Sequence, residues 1–206
     1  MAHPVASLDG CGKLPVYLLD FSVYKPPEEL RLNRDEAEVK AKLWPAYQGC
    51  SEEKMAEIKR FMFKVVQQSG LSQTGTYLPA GINPMLTTAP KDDINACMEE
   101  AEMVMGGAVQ ELLQRTGVRP EQVNILVTNC SIFSATPSLA SMLINKFKLR
   151  TDVQSYHLGG MGCSNGTVGI GLMRDLLQSD DSYRYRAKLL SSSDTSSMHT
   201  YYCSMA

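Results

Sequence analysis

Tyr156-His157-Leu158-Gly159-Gly160-Met161-Gly162-Cys163-Ser164-Asn165-Gly166 is the stretch on which the reading of this chain turns. It runs as a short strand, a sharp turn that glycine permits, a cysteine, and then the start of a helix. A strand-to-helix elbow holds its central side chain out at the end of a sheet, where a small molecule can reach it. Here that side chain is Cys163. The unpaired N–H groups of a helix N-terminus carry partial positive charge, which favours a thiolate over a thiol. A thiolate attacks a thioester carbonyl, and the same N–H groups can stabilise the oxyanion that forms. Taken alone, the stretch leaves Cys163 open between this nucleophile and a small core residue beside a glycine turn. Glycine turns before helices also bind phosphate, but this one matches neither the P-loop nor the dinucleotide fingerprint.

Moving outward, the spacing predicts a helix over Ser164 to Gln178. Gly166, Gly169 and Gly171 each cost about 1 kcal/mol against alanine in a helix interior, so a close backbone approach is expected there. Val168, Ile170, Leu172, Met173, Leu176 and Leu177 leave this helix apolar on most sides, as a buried helix would be. Upstream, Val153 to Leu158 reads as a strand. Thr136-Pro137 reads as an N-cap and first helical position of a helix running to Phe147. Asn124 to Asn129 is a short apolar strand of the buried kind. Asp93 to Arg115 repeats apolar residues (Ile94, Cys97, Met98, Ala101, Met105, Ala108, Val109, Leu112) at three- and four-residue intervals, an amphipathic helix closed by Gly117 and Pro120. Downstream, Arg186 to Ser192 is a final strand. Strands and helices alternating in this way predict an α/β fold, a mostly parallel sheet with helices on both faces.

The first ninety residues are less regular. Lys13 to Asp20 reads as a short strand ended by Pro26-Pro27, and residues 28–51 as a charged surface segment, partly helical. Glu52 to Gln68 is a helix with Ile58, Phe61, Met62, Val65 and Val66 on one stripe. Residues 71–90, rich in proline and glycine, read as a long ordered loop. The expected division is a disordered stretch over 1–13 and one incomplete domain over 14–206.

Composition removes several function classes. The 206 residues carry a formal net charge of −2, which offers no electrostatic footprint for nucleic acid. No run of about 18 apolar residues encodes a transmembrane helix. The N-terminus lacks the basic and apolar regions of a signal peptide, so the chain is expected to face the cytosol. Six cysteines stand singly, without Cys-x-x-Cys pairs or histidines at ligand spacing, so no metal site and no cofactor is expected. Most of them read as small buried apolar residues.

Asn129-Cys130-Ser131-Ile132-Phe133, with Thr136-Pro137-Ser138-Leu139 behind it, resembles the Asn-Cys-Ser-Leu-Phe…Thr-Pro-Ser-Leu segment of plant-type 3-ketoacyl-CoA synthases. These are the condensing enzymes of very-long-chain fatty acid elongation. Leu158-Gly159-Gly160-Met161-Gly162-Cys163-Ser164 resembles their active-site signature. Val16-Tyr17-Leu18, Tyr24-Lys25-Pro26-Pro27, Ser69-Gly70-Leu71, Thr76-Tyr77-Leu78-Pro79 and Glu100-Ala101-Glu102-Met103-Val104-Met105 fit in the same order. The resemblance covers about residues 14 to 195.

It implies the first half of a thiolase-like fold, with Cys163 as the acyl-accepting nucleophile and Gly159, Gly160, Gly162 and Ser164 as the elbow. The implied substrates are a long-chain acyl-CoA and malonyl-CoA, the product a 3-ketoacyl-CoA two carbons longer. Homodimers or elongase-complex partners, and a place on the cytosolic face of the endoplasmic reticulum membrane, are implied in the same way. The family's catalytic histidine and asparagine belong to its second half, and His3, His157 and His199 occupy no such position. The isolated chain is therefore expected not to turn over. Relatives commonly have asparagine where His157 stands and a small apolar residue where Asn165 stands. His157 reads as a core or strand-edge histidine, Cys130 as a packing residue and Lys25 as a turn marker. Met98, Met103, Met105 and Met161 read as core filler and acyl-tunnel lining. A non-catalytic half-domain that pairs with full-length synthases is the alternative. Chalcone-synthase-like or hydroxymethylglutaryl-CoA-synthase-like membership fits the upstream motifs less well.

Overall fold

The computed structural model describes all residues except 1–2, 5–15, 34–35, 37–39, 41–44, 46–47, 70–75, 92, 132, 163, 180–186 and 193–206. Two compact units are present, Met1–Lys25 with Cys97–Ala206, and Pro26–Ala96.

The first unit is built on a parallel sheet. In it, β5 (Val123–Cys130) lies between β6 (Gln154–Gly159) and β7 (Ala187–Ser192), and both pairings are parallel. Every residue of β5 is buried, because alternate side chains serve two cores. Leu126 and Cys130 join Met105, Val109 and Leu112 of α2 (Ile94–Thr116) and Leu139 and Leu143 of α3 (Leu139–Phe147). On the opposite face Ile125 and Val127 join Met173 and Leu177 of α4 (Asn165–Ser179), together with Val16. Helices thus cover both faces of a parallel sheet, as the alternation predicts. Toward the N-terminus β1 (His3–Pro4) pairs antiparallel with β2 (Tyr17–Leu18); most of the stretch expected to be disordered lies outside the described residues. Arg115, in the last turn of α2, grips both carboxylate oxygens of Asp20 at 2.5 and 2.8 Å. That hydrogen-bonded guanidinium holds the Asp20 carboxyl below the usual range.

In the second unit α1 (Glu52–Ser69) forms where the stripe predicts it, but Phe61 and Val65 are exposed. The side chains of Met62 and Val66 lie outside the described set. Residues 71–90 are not all loop: Thr76–Tyr77 (β4) pairs antiparallel with Arg31–Leu32 (β3), and Ala80–Ile82 makes a 3-10 turn. A two-residue ladder between segments so distant in sequence leaves no periodicity to read. Asp93 caps α2, its carboxylate accepting the N–H groups of Asn95 and Ala96 at 2.9 Å each.

Several expectations are corrected. The cap of α3 is Ser138, not Thr136: its Oγ accepts the Ser141 N–H at 3.1 Å, and the helix begins at Leu139. Ile94 is exposed at the start of α2, before the helix reaches the sheet core. α4 is buried on one face only, through Gly169, Met173 and Leu177, while Val168 is 45% exposed. A Cβ at Gly171 would meet nothing within 4 Å, so no backbone approaches it among the described residues. The tight packing sits instead on α2. There a Cβ at Gly107 would run into the ring of Tyr24, and one at Gly106 would stand 2.8 Å from Lys146 Cε.

Candidate active site

β6 and β5 end side by side at their carboxyl ends, the edge at which parallel α/β sheets place ligands. The register sets Thr128 beside His157, Asn129 beside Leu158 and Cys130 beside Gly159. From Gly159 the chain turns through Gly160, Met161 and Gly162 and enters α4 at Asn165. Gly160 (φ 72°) and Gly162 (φ 77°) both occupy the left-handed region, where a Cβ costs roughly 1–2 kcal/mol. Glycine at these two positions is what makes the turn this sharp. Gly159 has no such requirement; it closes the strand, and a Cβ there would sit at ordinary distance from His157 Nε2 (3.7 Å) and the Cys130 carbonyl (3.8 Å).

Backbone hydrogen bonds fix the elbow. The Asn165 N–H donates to the Gly162 carbonyl and the Val168 N–H to the Ser164 carbonyl, each at 3.1 Å. Ser164 Oγ donates to the Met161 carbonyl at 3.2 Å, tying the turn to the helix start. Of the expected site residues, Gly159, Gly160, Gly162 and Ser164 are therefore gathered at one strand-to-helix junction. Cys163, between Gly162 and Ser164 in sequence, lies outside the described residues. Met161 is 51% exposed at the crest of the turn and so is not core filler, unlike Met105, which is fully buried.

Three polar side chains around this edge carry hydrogen-bonding capacity that the described residues do not use. Asn165 is fully buried; its Nδ2 donates to the Leu158 carbonyl at 3.4 Å and its Oδ1 has no partner. Asn129 is fully buried with neither amide atom paired. His157 sits on the opposite face of the sheet from Asn129, with Nδ1 3.0 Å from Thr128 Oγ1 and Nε2 buried and unpaired. Because the Thr128 hydroxyl also donates to the Tyr156 carbonyl, the arrangement favours a proton on Nδ1 and a bare lone pair on Nε2. Burial pushes the His157 imidazole below its ordinary pKa. It is the strand-edge histidine that its lone position predicts.

Cys130 is buried and accepts the Phe133 N–H on its sulfur at 3.4 Å, a packing role with one weak hydrogen bond. Of the other described cysteines, Cys97 is half-buried and Cys50 is exposed, so neither is a core residue; Cys11, Cys163 and Cys203 lie outside the described residues. Sequence reading passed over Asn129 except as a letter in a motif. The available signal was a polar residue closing an apolar strand. No group of metal-binding side chains occurs among the described residues, and none of their helices is long and apolar enough to cross a membrane.

A parallel sheet covered on both faces, with a glycine elbow at its carboxyl edge, fits one part of a thiolase-like fold. Solved structures bear this out: a fungal type III polyketide synthase, ORAS, superposes with a TM-score of 0.64 at 17% identity, over 86% of this chain and 45% of that one. A type III pentaketide synthase from Neurospora crassa gives 0.63 at 16% identity over the same shares. The family described as FAE1/Type III polyketide synthase-like protein matches residues 11–205, and the chain belongs to it. Among curated relatives, 3-ketoacyl-CoA synthase 11 of Arabidopsis thaliana is 41% identical over 165 residues, 80% of this chain and 30% of that protein. 3-Ketoacyl-CoA synthase 9 of the same plant is 40% identical over 163 residues, 79% of this chain and 30% of that protein. The chain thus spans about a third of the length of these relatives.

Proposed function

We propose that this chain is the nucleophile-bearing part of a very-long-chain 3-ketoacyl-CoA synthase. The Cys163 thiolate attacks the carbonyl carbon of a long-chain acyl-CoA and displaces coenzyme A, leaving an acyl thioester on sulfur. Malonyl-CoA then loses carbon dioxide. The resulting carbanion attacks that thioester, forming a carbon–carbon bond and releasing the sulfur as thiolate, and the product is a 3-ketoacyl-CoA two carbons longer. No cofactor is needed for either stage. The observation that carries the reading is the elbow, two left-handed glycines delivering the chain from β6 into the N-terminus of α4. It is supported by relatives about 40% identical that are named for this condensation. Dimers and attachment to the cytosolic face of the endoplasmic reticulum membrane belong to the same proposal.

Peptide mapping after iodoacetamide treatment at mildly alkaline pH tests the nucleophile. Cys163 is expected to label faster than half-buried Cys97, and equal rates would sink the activated thiolate. The purified 206-residue polypeptide is expected to take an acyl group on Cys163 and to release no 3-ketoacyl-CoA; such a product would overturn the division of labour proposed here. Exposed Met161 and Val168 beside the elbow favour a second reading, a half-domain that pairs with full-length synthases. Co-purification with such a synthase, together with an unlabelled Cys163, would select it.

A further inference from the structure

Asn129 ends an otherwise apolar strand on the face that packs against α4, continuing the alternation of Ile125 and Val127. It is completely buried, and neither atom of its amide has a hydrogen-bond partner among the described residues. Asn165, in the first turn of α4, is as deeply buried. Its Nδ2 donates to the Leu158 carbonyl, and its Oδ1 is left unpaired. Leu158 is the register partner of Asn129, so both amides lie where the ends of β5 and β6 meet the start of α4. Gly166, the next residue and also buried, has a bare side there. Apart from its chain neighbours and the backbone of α4, a Cβ on Gly166 would have one atom within 4 Å, Asn129 Nδ2 at 3.8 Å. The glycine therefore leaves a methyl-sized space beside a buried amide that lacks a partner.

What suits that space is set by its polar groups. An anion is repelled by the amide oxygens of Asn129 and Asn165. A cation meets the amide hydrogens of Asn129 and the positive end of a 15-residue helix. A hydrocarbon group leaves all of these atoms unsatisfied. Water both accepts and donates, and buried waters in folded proteins sit among about two to four such groups. We propose that an internal water occupies the space beside Gly166, accepting from Asn129 Nδ2 and donating to Asn165 Oδ1. It ties the end of β5 to the first turn of α4. Burial of all three residues seals the site, and it is independent of the reaction proposed for Cys163. Gly166 then accommodates a solvent molecule, where the sequence predicts a neighbouring backbone.

Oxygen-17 magnetic relaxation dispersion counts waters held inside a protein for longer than it takes to tumble, and it tests the site on the 206-residue chain. Asn129→Val and Gly166→Ala are each expected to lose one such water relative to the wild type. The double variant should lose one as well, because both changes evict the same molecule. Melting temperatures give a second reading. A methyl on Gly166 stands at ordinary contact distance from Asn129, so it fits, but it displaces the water and strands the amide. Gly166→Ala should therefore melt below the wild type. Gly171→Ala, whose methyl meets nothing within 4 Å, should melt above it through helix propensity alone. With Asn129→Val as background no amide remains to be stranded, and Gly166→Ala should then raise the melting temperature. An unchanged water count in either single variant would overturn the proposal, as would the loss of two waters in the double variant. So would a melting temperature lowered equally by Gly166→Ala in both backgrounds, which would make the glycine a packing requirement. If Asn129→Val does not fold, the water count of Gly166→Ala decides alone.

Discussion

His157 is the residue at which sequence and environment pull hardest against each other. An imidazole with one ring nitrogen on Thr128 and the other buried without a partner among the described residues is pushed below its ordinary pKa by burial. In the unfolded chain it takes up a proton as pH falls below about 6.5, whereas the folded chain resists protonation until lower pH. Over that window the unfolded state binds more protons, so stability is full above it and declines as pH drops. His157→Asn should remove this component. The melting temperature is expected to fall less between about pH 7.5 and 5.5 in the variant than in the wild type, and parallel curves would show that His157 is not buried neutral. Burial acts in the opposite sense on Glu100, raising its carboxyl, but that group is common to both proteins and cancels in the comparison.

At the scale of elements, the features most legible in the sequence were those encoded locally and redundantly. α1, α2, α4 and the three parallel strands fall within a residue or two of their expected bounds, the helices and β5 because each carries several apolar residues at the spacing of its element, β6 and β7 through their place in the strand–helix alternation. The elbow was legible for a related reason, since only glycine makes positive φ inexpensive at Gly160 and Gly162. What escaped was set by distant partners. The β3–β4 ladder is two residues long on each strand, and the unpaired amide of Asn129 is recognisable only once Gly166 is seen beside it. Gly171 of α4 meets no close backbone neighbour among the described residues; a glycine does not say which neighbour it accommodates. On α2 the neighbours are known, and they differ in kind. Gly107→Ala drives a methyl into the aromatic ring of Tyr24 and should cost about 1–3 kcal/mol. Gly106→Ala meets only the flexible end of Lys146, which can swing aside, so the gain in helix propensity leaves it neutral or up to about 1 kcal/mol more stable. Urea denaturation of the two variants should separate them, and equal destabilisation would mean that Tyr24 does not lie on the helix.

Across the whole molecule, what a sequence of this length conveys best is the doubly covered sheet, and what it conveys least is the chemistry gathered at its edge from three separate segments. The chain belongs to the FAE1/Type III polyketide synthase-like family, and the condensation proposed above is the reaction to test for. The position of β5 has one further consequence. With a strand on each side and a helical layer above and below, its peptide hydrogens reach solvent only when the entire layered assembly opens. In heavy water, peptides covering Val123–Cys130 should therefore take up deuterium last, and should do so together. This strand then serves as an internal clock for global opening, readable without any engineered probe.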